Sequence, residues 1–139
     1  MGTLYVVATP IGNLEDLTHR GARVLREVDV VVAEDADRAR KLLAYVGTTA
    51  KLITYREDSP ESREDAIVTR LRTGDVALIV GAGTPGISDP LYYLTRAALD
   101  NDISVVSLPG PSAVLAALTI SGLPVNRFIF EGFLPRKKG

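Results

Sequence analysis

Val76-Ala77-Leu78-Ile79-Val80-Gly81-Ala82-Gly83-Thr84-Pro85-Gly86-Ile87-Ser88-Asp89-Pro90 carries the strongest strand signal in the chain. Its first five residues form an unbroken aliphatic run, the pattern of a strand buried on both faces. A loop rich in Gly and Pro follows. Asp89-Pro90 then reads as the cap and first turn of a helix that turns Leu91, Leu94, Ala97 and Ala98 inward. A buried strand passing through such a loop into a helix is the repeating unit of a parallel sheet.

Outward from this stretch the unit recurs. Leu4-Tyr5-Val6-Val7-Ala8 reads as a strand, followed by Leu17, Gly21, Val24, Leu25 and Val28 on one helix face. Val30-Val31-Val32-Ala33 is a second strand, and Ala36, Ala39, Leu42, Leu43 and Val46 mark a second helix stopped by Gly47. Leu52-Ile53-Thr54-Tyr55 is a third, more polar strand. Ser59-Pro60-Glu61 reads as an N-cap, a first-turn proline and a dipole-matching acid, opening a helix through Leu71. Ile103-Ser104-Val105-Val106 is a fifth strand. Pro111 is expected to open a last helix to about Ile120, and Phe128-Ile129-Phe130 to begin a sixth strand.

The expected fold is therefore α/β, an open and mainly parallel sheet with helices on both faces. Right-handed crossovers gather the carboxyl ends of the strands along one edge, where ligands of such sheets bind. The loops after strands one, two, four and five are the ones to search. Residues 1–125 read as an N-terminal α/β domain, and 126–139 as a linker and the start of a second, donor-binding domain.

Composition narrows the function. The chain has 139 residues, 46% hydrophobic and 24% charged, and no cysteine. These values are ordinary for a globular domain and exclude a disordered tail, a collagen-like repeat and a disulfide scaffold. No apolar run approaches the ~18 residues of a membrane span, and no secretory signal is visible. Absence of cysteine and of an export signal favours the cytoplasm. A lone His19 without cysteine leaves no zinc site to expect. With 16 Lys+Arg against 17 Asp+Glu, the net charge of −1 argues against nucleic-acid binding through bulk charge, so any such binding needs a local basic patch.

Three strand-end loops are rich in Gly and Pro: Ala8-Thr9-Pro10-Ile11-Gly12-Asn13, Gly81 to Pro90, and Leu108-Pro109-Gly110-Pro111-Ser112-Ala113. Glycine admits a ligand close to backbone amides, and helix starts offer free amides to anions. Each loop alone could be a plain turn; three on one edge point to a small-molecule site. There is no G-x-x-x-x-G-K-[ST] phosphate loop. Gly81, Gly83 and Gly86 match a bare G-x-G-x-x-G, but on the fourth strand and with Pro85 inside it, which is a weak dinucleotide signal.

Leu4 to Thr18, Ala82-Gly83-Thr84-Pro85-Gly86-Ile87-Ser88-Asp89-Pro90, Leu108 to Ala113 and Phe130-Glu131-Gly132-Phe133-Leu134-Pro135-Arg136-Lys137 occur in the order of four family signatures. With them the chain resembles, over nearly its whole length, the bacterial 16S ribosomal RNA (cytidine 2′-O) methyltransferases of the tetrapyrrole-methylase class. That resemblance implies S-adenosylmethionine as methyl donor, a cytidine ribose of small-subunit RNA as acceptor, a homodimer, and a cleft between two domains. Three places differ from the family pattern. Val80-Gly81 stand where Ser-Asp is usual, Ala36-Asp37 follow Glu34-Asp35 in place of Thr-Arg, and Arg56-Glu57-Asp58-Ser59-Pro60 replace a His- and Asn-bearing stretch.

Methyl transfer to a ribose hydroxyl gains from a base, and Glu34 and Asp35 are the candidates. The plainer reading of this pair is one helix cap plus one ion pair to Arg38; that of Asp89 is an N-cap before Pro90. Donor contacts are expected from Gly83, Thr84, Pro85, Ile87 and Asp89, from Ser112 and Ala113 at a helix start, and, as the resemblance implies, from Phe133 and Leu134. Thr9, Pro10, Gly12 and Asn13 are expected beside the acceptor. Arg38, Arg40 and Lys41 are the phosphate candidates, whereas His19, Arg20, Arg23 and Arg26 read as a solvated helix face. Arg136, Lys137 and Lys138 form a further basic run. Two other readings stay open: a methylase of small tetrapyrrole-like rings, and a catalytically impaired binding or dimerisation module.

Overall fold

In a computed structural model that describes residues 1–135, strands and helices alternate along the chain. Among these residues the strands are β1 (Thr3–Val7), β2 (Val30–Ala33), β3 (Lys51–Thr54), β4 (Val76–Ile79) and β5 (Ser104–Leu108). The helices are α1 (His19–Glu27), α2 (Ala36–Val46), α3 (Glu61–Leu71), α4 (Tyr92–Asp100) and α5 (Ala113–Ile120), with a 3-10 turn at Leu14–Asp16. The strands lie in the order β3-β2-β4-β1-β5, and every pairing is parallel. The register sets Leu4 beside Val76 and Val105, and Val31 beside Leu52 and Ala77.

Side chains alternate across the sheet, so β4 feeds two cores at once. Val76 and Leu78 join Ile67, Val68 and Leu71 of α3 and Leu94 and Ala98 of α4 on one face. Ala77 and Ile79 join Val24 and Leu25 of α1 and Leu42, Leu43 and Val46 of α2 on the other. The chain steps outward from β1 to β2 and β3 with its helices on one face. It then returns through β4 to β5 with its helices on the opposite face, because a right-handed crossover changes face when the direction of travel reverses. Neighbouring β2 and β4 therefore send their following loops to opposite faces, which opens a crevice between their carboxyl ends.

Several boundaries differ from expectation. Phe128–Phe130 forms no strand, since the segment makes no ladder pairing among the described residues and an apolar run without a partner strand is not held extended. Pro60, not Ser59, occupies the N-cap of α3 and supplies no side-chain bond; the Ser59 hydroxyl instead accepts from the Arg56 amide at 2.8 Å. The helix after Asp89-Pro90 starts only at Tyr92. Ser112, not Pro111, caps α5, its Oγ accepting from the Leu115 amide at 3.4 Å. Gly47 ends α2 as expected, at φ 75° and with its amide on the Leu43 and Ala44 carbonyls. No residue of α5 is buried, although its sequence is almost wholly apolar.

Candidate functional site

The crevice between β2 and β4 holds a cavity of about 590 Å³ whose walls include Glu34, Asp35, Arg38, Arg56, Thr84 and Asp89. Chemistry gathers there because three strand ends meet: β2 delivers the two acids, β3 delivers Arg56, and β4 runs into the glycine-rich loop. Asp35 is the N-cap of α2. Its Oδ1 accepts from the amides of Asp37 and Arg38, both at 3.0 Å, and its Oδ2 lies 3.4 Å from Arg38 Nε. The Arg38 amide, with help from that of Asp37 and from the Arg38 and Arg56 charges, holds the Asp35 carboxyl below its ordinary value against the opposing pull of desolvation. Asp35 thus does what the plainer reading assigned to the acidic pair: one cap and one ion pair to Arg38. The Glu34 carbonyl accepts from Arg56 Nε at 3.4 Å, and among the described residues its carboxylate has no hydrogen-bonding partner.

Asp89 shapes the loop. Its Oδ2 accepts from the Gly86 amide at 2.7 Å and its Oδ1 from the Leu91 amide at 2.9 Å. Between these anchors Ser88 is held at φ 59°, a left-handed conformation that a non-glycine residue adopts only under constraint. Thr9 and Gly83 form the other fixed point. They exchange backbone hydrogen bonds at 2.9 and 3.0 Å, and the Thr9 hydroxyl donates to the Val80 and Gly83 carbonyls. Gly83 sits at φ 86°, where a side chain is strained. Thr84 Oγ1 donates to the Pro111 carbonyl at 3.2 Å, tying the loop after β4 to the loop after β5.

These ties divide the expected donor set. Thr84, Ile87, Asp89 and Phe133 line the crevice, Pro85 lines a second cavity beside Tyr92 and Val105, and Ser112 lines a third with Ile11 and Thr18. Leu134 lies wholly at the surface. Ala113 is the first residue of α5. Of the residues expected beside the acceptor, Thr9 is only 2% exposed and spent on loop closure, so its hydroxyl does not face a ligand. Asn13 caps the 3-10 turn, accepting from the Glu15 amide, and Pro10 and Gly12 stay near the surface. Arg40 pairs with Asp37 at 2.8 Å on the outer face of α2, and neither it nor Lys41 lines the crevice. Arg136, Lys137 and Lys138 lie outside the described residues.

The family model of Tetrapyrrole (Corrin/Porphyrin) Methylases matches residues 3–138. The chain belongs to the tetrapyrrole methylase family. Within it, the chain is 50% identical over 137 residues to the Ribosomal RNA small subunit methyltransferase I of Xylella fastidiosa, covering 98% of this chain and 50% of that protein. Identity to the protein of the same name from Escherichia coli O157:H7 is 44% over 98% of this chain and 48% of that one. For Thermotoga maritima it is 45%, over 99% and 63%. The chain thus spans about half to 63% of the length of these curated relatives. Among solved structures, the uroporphyrin-III-C-methyltransferase of Thermus thermophilus superposes with a TM-score of 0.67 at 25% identity, over 91% of this chain and 55% of that one. A conserved hypothetical protein of Aeropyrum pernix K1 gives 0.72 at 24%, over 92% and 45%.

In the sequence Arg56 stands out only as part of the stretch that differs from the family pattern, and not as a site residue, because the short, polar third strand before it carries little signal. Its place in the sheet shows only in the strand order, where β3 lies beside β2 and brings Arg56 to Glu34. The residues at the mouth of α5 fit the carboxylate of a methionine-type donor. Ser112 offers a hydroxyl there, and the first-turn amides of a helix start have no intrahelical acceptor.

Proposed function

We propose that this chain carries the sheet-edge half of an S-adenosylmethionine-dependent methyltransferase acting on the ribose 2′-hydroxyl of a cytidine in 16S ribosomal RNA. The observation that carries the reading is identity of 44–50% across nearly the whole chain to relatives named for small-subunit ribosomal RNA methylation. Residues 1–125 then form the N-terminal domain, with 126–139 leading to a second one. The expected setting is the cytoplasm; among the described residues no helix is long and apolar enough to cross a membrane.

S-adenosylmethionine, when bound, supplies a methyl group already activated on a sulfonium. The protein's task is to align the acceptor, exclude water and take up the hydroxyl proton. Glu34 is the base of this reading, because it lines the crevice and its carboxylate has no hydrogen-bonding partner among the described residues. Asp35 is committed to two amides and to Arg38, and its lowered pKa makes it the poorer proton acceptor. Ser112 and the start of α5 would hold the donor carboxylate, while Thr84, Ile87 and Phe133 line the separate crevice between β2 and β4. A second copy of the chain is the expected partner. Exposed apolar residues on α5 and beyond, including Ile120, Ile129, Phe133 and Leu134, support a homodimer that covers them.

The test is incubation of small ribosomal subunits with the protein and saturating donor carrying a labelled methyl. Label on the 2′-oxygen of a cytidine is expected. Label on a base, or on a tetrapyrrole-like ring in preference to RNA, overturns the reading.

A further inference from the structure

Two guanidinium groups face the crevice from different strand ends, and neither is fully engaged. Arg38 reaches Asp35 only through Nε, at 3.4 Å, and its side chain stays exposed. Arg56 donates from Nε to the Glu34 carbonyl, also at 3.4 Å, while its terminal nitrogens have no partner among the described residues. Both line the same cavity as Glu34. Of the three acids there, Asp35 is neutralised by its cap and Arg38, and Asp89 is consumed by two backbone amides. Among the described residues the cavity therefore presents one open carboxylate flanked by two forked cations.

Gly81 leaves room for this arrangement. A Cβ at position 81 would lie 3.1 Å from Arg38 Cδ and 3.3 Å from its Nη1, so Arg38 lies across the glycine in space a side chain would take. Gly81 is not in the left-handed region, so backbone conformation does not require glycine there; a Cβ would oblige the exposed Arg38 side chain to give by a few tenths of an ångström.

We propose that Arg38 and Arg56 clamp the phosphates flanking the ribose presented to Glu34, with Gly81 as the residue that admits Arg38 to the crevice. Forked guanidinium donors match phosphate oxygens in pairs, and two of them on either side of one acceptor suit a ribose hydroxyl between its phosphates. The proposal rests on the RNA reading above and narrows it. The crevice pair, not the outward Arg40 and Lys41 of α2, carries the phosphate contact.

The experiment is anisotropy of a labelled single-stranded, cytidine-containing RNA titrated with the protein at several salt concentrations, beside calorimetry with S-adenosylmethionine. Arg38→Ala and Arg56→Ala are each expected to weaken RNA binding roughly tenfold at low salt. Each should also flatten the plot of log affinity against log salt by about 0.7 per lost phosphate contact. Arg56→Lys should keep the slope and lose part of the affinity, since charge remains and the fork does not. Gly81→Asp, checked for folding by circular dichroism and paired with Gly81→Ala, should weaken RNA binding by placing a carboxylate against Arg38. Arg23→Ala, which removes one equal charge from an exposed α1 pair with Glu27, is the control.

If the crevice variants behave like Arg23→Ala, the clamp is wrong and the RNA reading stands. Loss of donor affinity with RNA affinity intact assigns the pair to the donor's carboxylate and also overturns it. An unaltered chain that binds no RNA removes the RNA reading itself and the clamp with it.

Discussion

Glu34 and Asp35 are adjacent carboxylates with different work because their surroundings differ. Asp35 holds the first turn of α2 and Arg38, while Glu34 lines the crevice with a carboxylate that has no hydrogen-bonding partner among the described residues. Glu34→Gln is expected to slow methyl transfer by about 10²–10⁴-fold with donor affinity kept, the usual range for losing a general base. Asp35→Ala should instead lower the melting temperature. Its folded pKa lies below 3.8, so its contribution to stability is present above that pH and disappears as pH falls through the lowered value. A second titration belongs to Tyr55. Burial, and then the hydrogen bond from its hydroxyl to Glu64 at 3.0 Å, push its pKa from 10.0 up to about 12. The folded protein favours the neutral phenol, so this contribution is full below pH 10.0 and lost as pH rises through about 12. Absorbance titration of the phenolates should show Tyr55 ionising late, and Tyr55→Phe should remove that step and cost about 1 kcal/mol in denaturant unfolding.

Loops act as units here. The loop after β4 is pinned to the loop after β1 through Thr9 and Gly83, to the loop after β5 through Thr84 and Pro111, and onto itself through Asp89. Gly83→Val forces a β-branched residue to φ 86° and strains the exchange with Thr9. Such strain costs about 1–3 kcal/mol. Denaturant unfolding should show that loss, and calorimetry on a full-length protein that includes a second domain should show donor binding weakened together with it. Normal donor affinity in Gly83→Val would reduce this loop to a plain turn. The glycine loops were legible before the fold because Gly, Pro and a following helix start have distinctive composition. The division of the expected donor residues among three cavities was not, since it arises from hydrogen bonds between loops far apart in sequence.

Over the whole molecule the apolar surface is unevenly distributed. Both faces of the sheet centre are covered, yet α5 is unburied and Leu123, Ile129, Phe133 and Leu134 are each more than 70% exposed. Sedimentation velocity over a range of concentrations is expected to show reversible self-association, and a clean monomer throughout would count against the homodimer. The donor residues divided among separate cavities imply that the chain by itself binds S-adenosylmethionine weakly. Tight one-to-one binding by calorimetry would show that these cavities already form a complete donor site.

Local sequence alone carried the parallel α/β class, the sheet edge that bears the crevice and the three glycine-rich loops. Aliphatic runs such as Val76–Val80, helical periodicity and turn residues are local signals, readable without knowing what packs against what. The folded structure set the strand order, and with it that the loop after β3 lines the crevice and that Arg56 meets Glu34. It also decided that Thr9 faces inward, that Arg40 faces away, and that Phe128–Phe130 is not a strand. Each of these depends on which partner a side chain or backbone group finds across the fold, and long-range pairing leaves no local pattern in the chain.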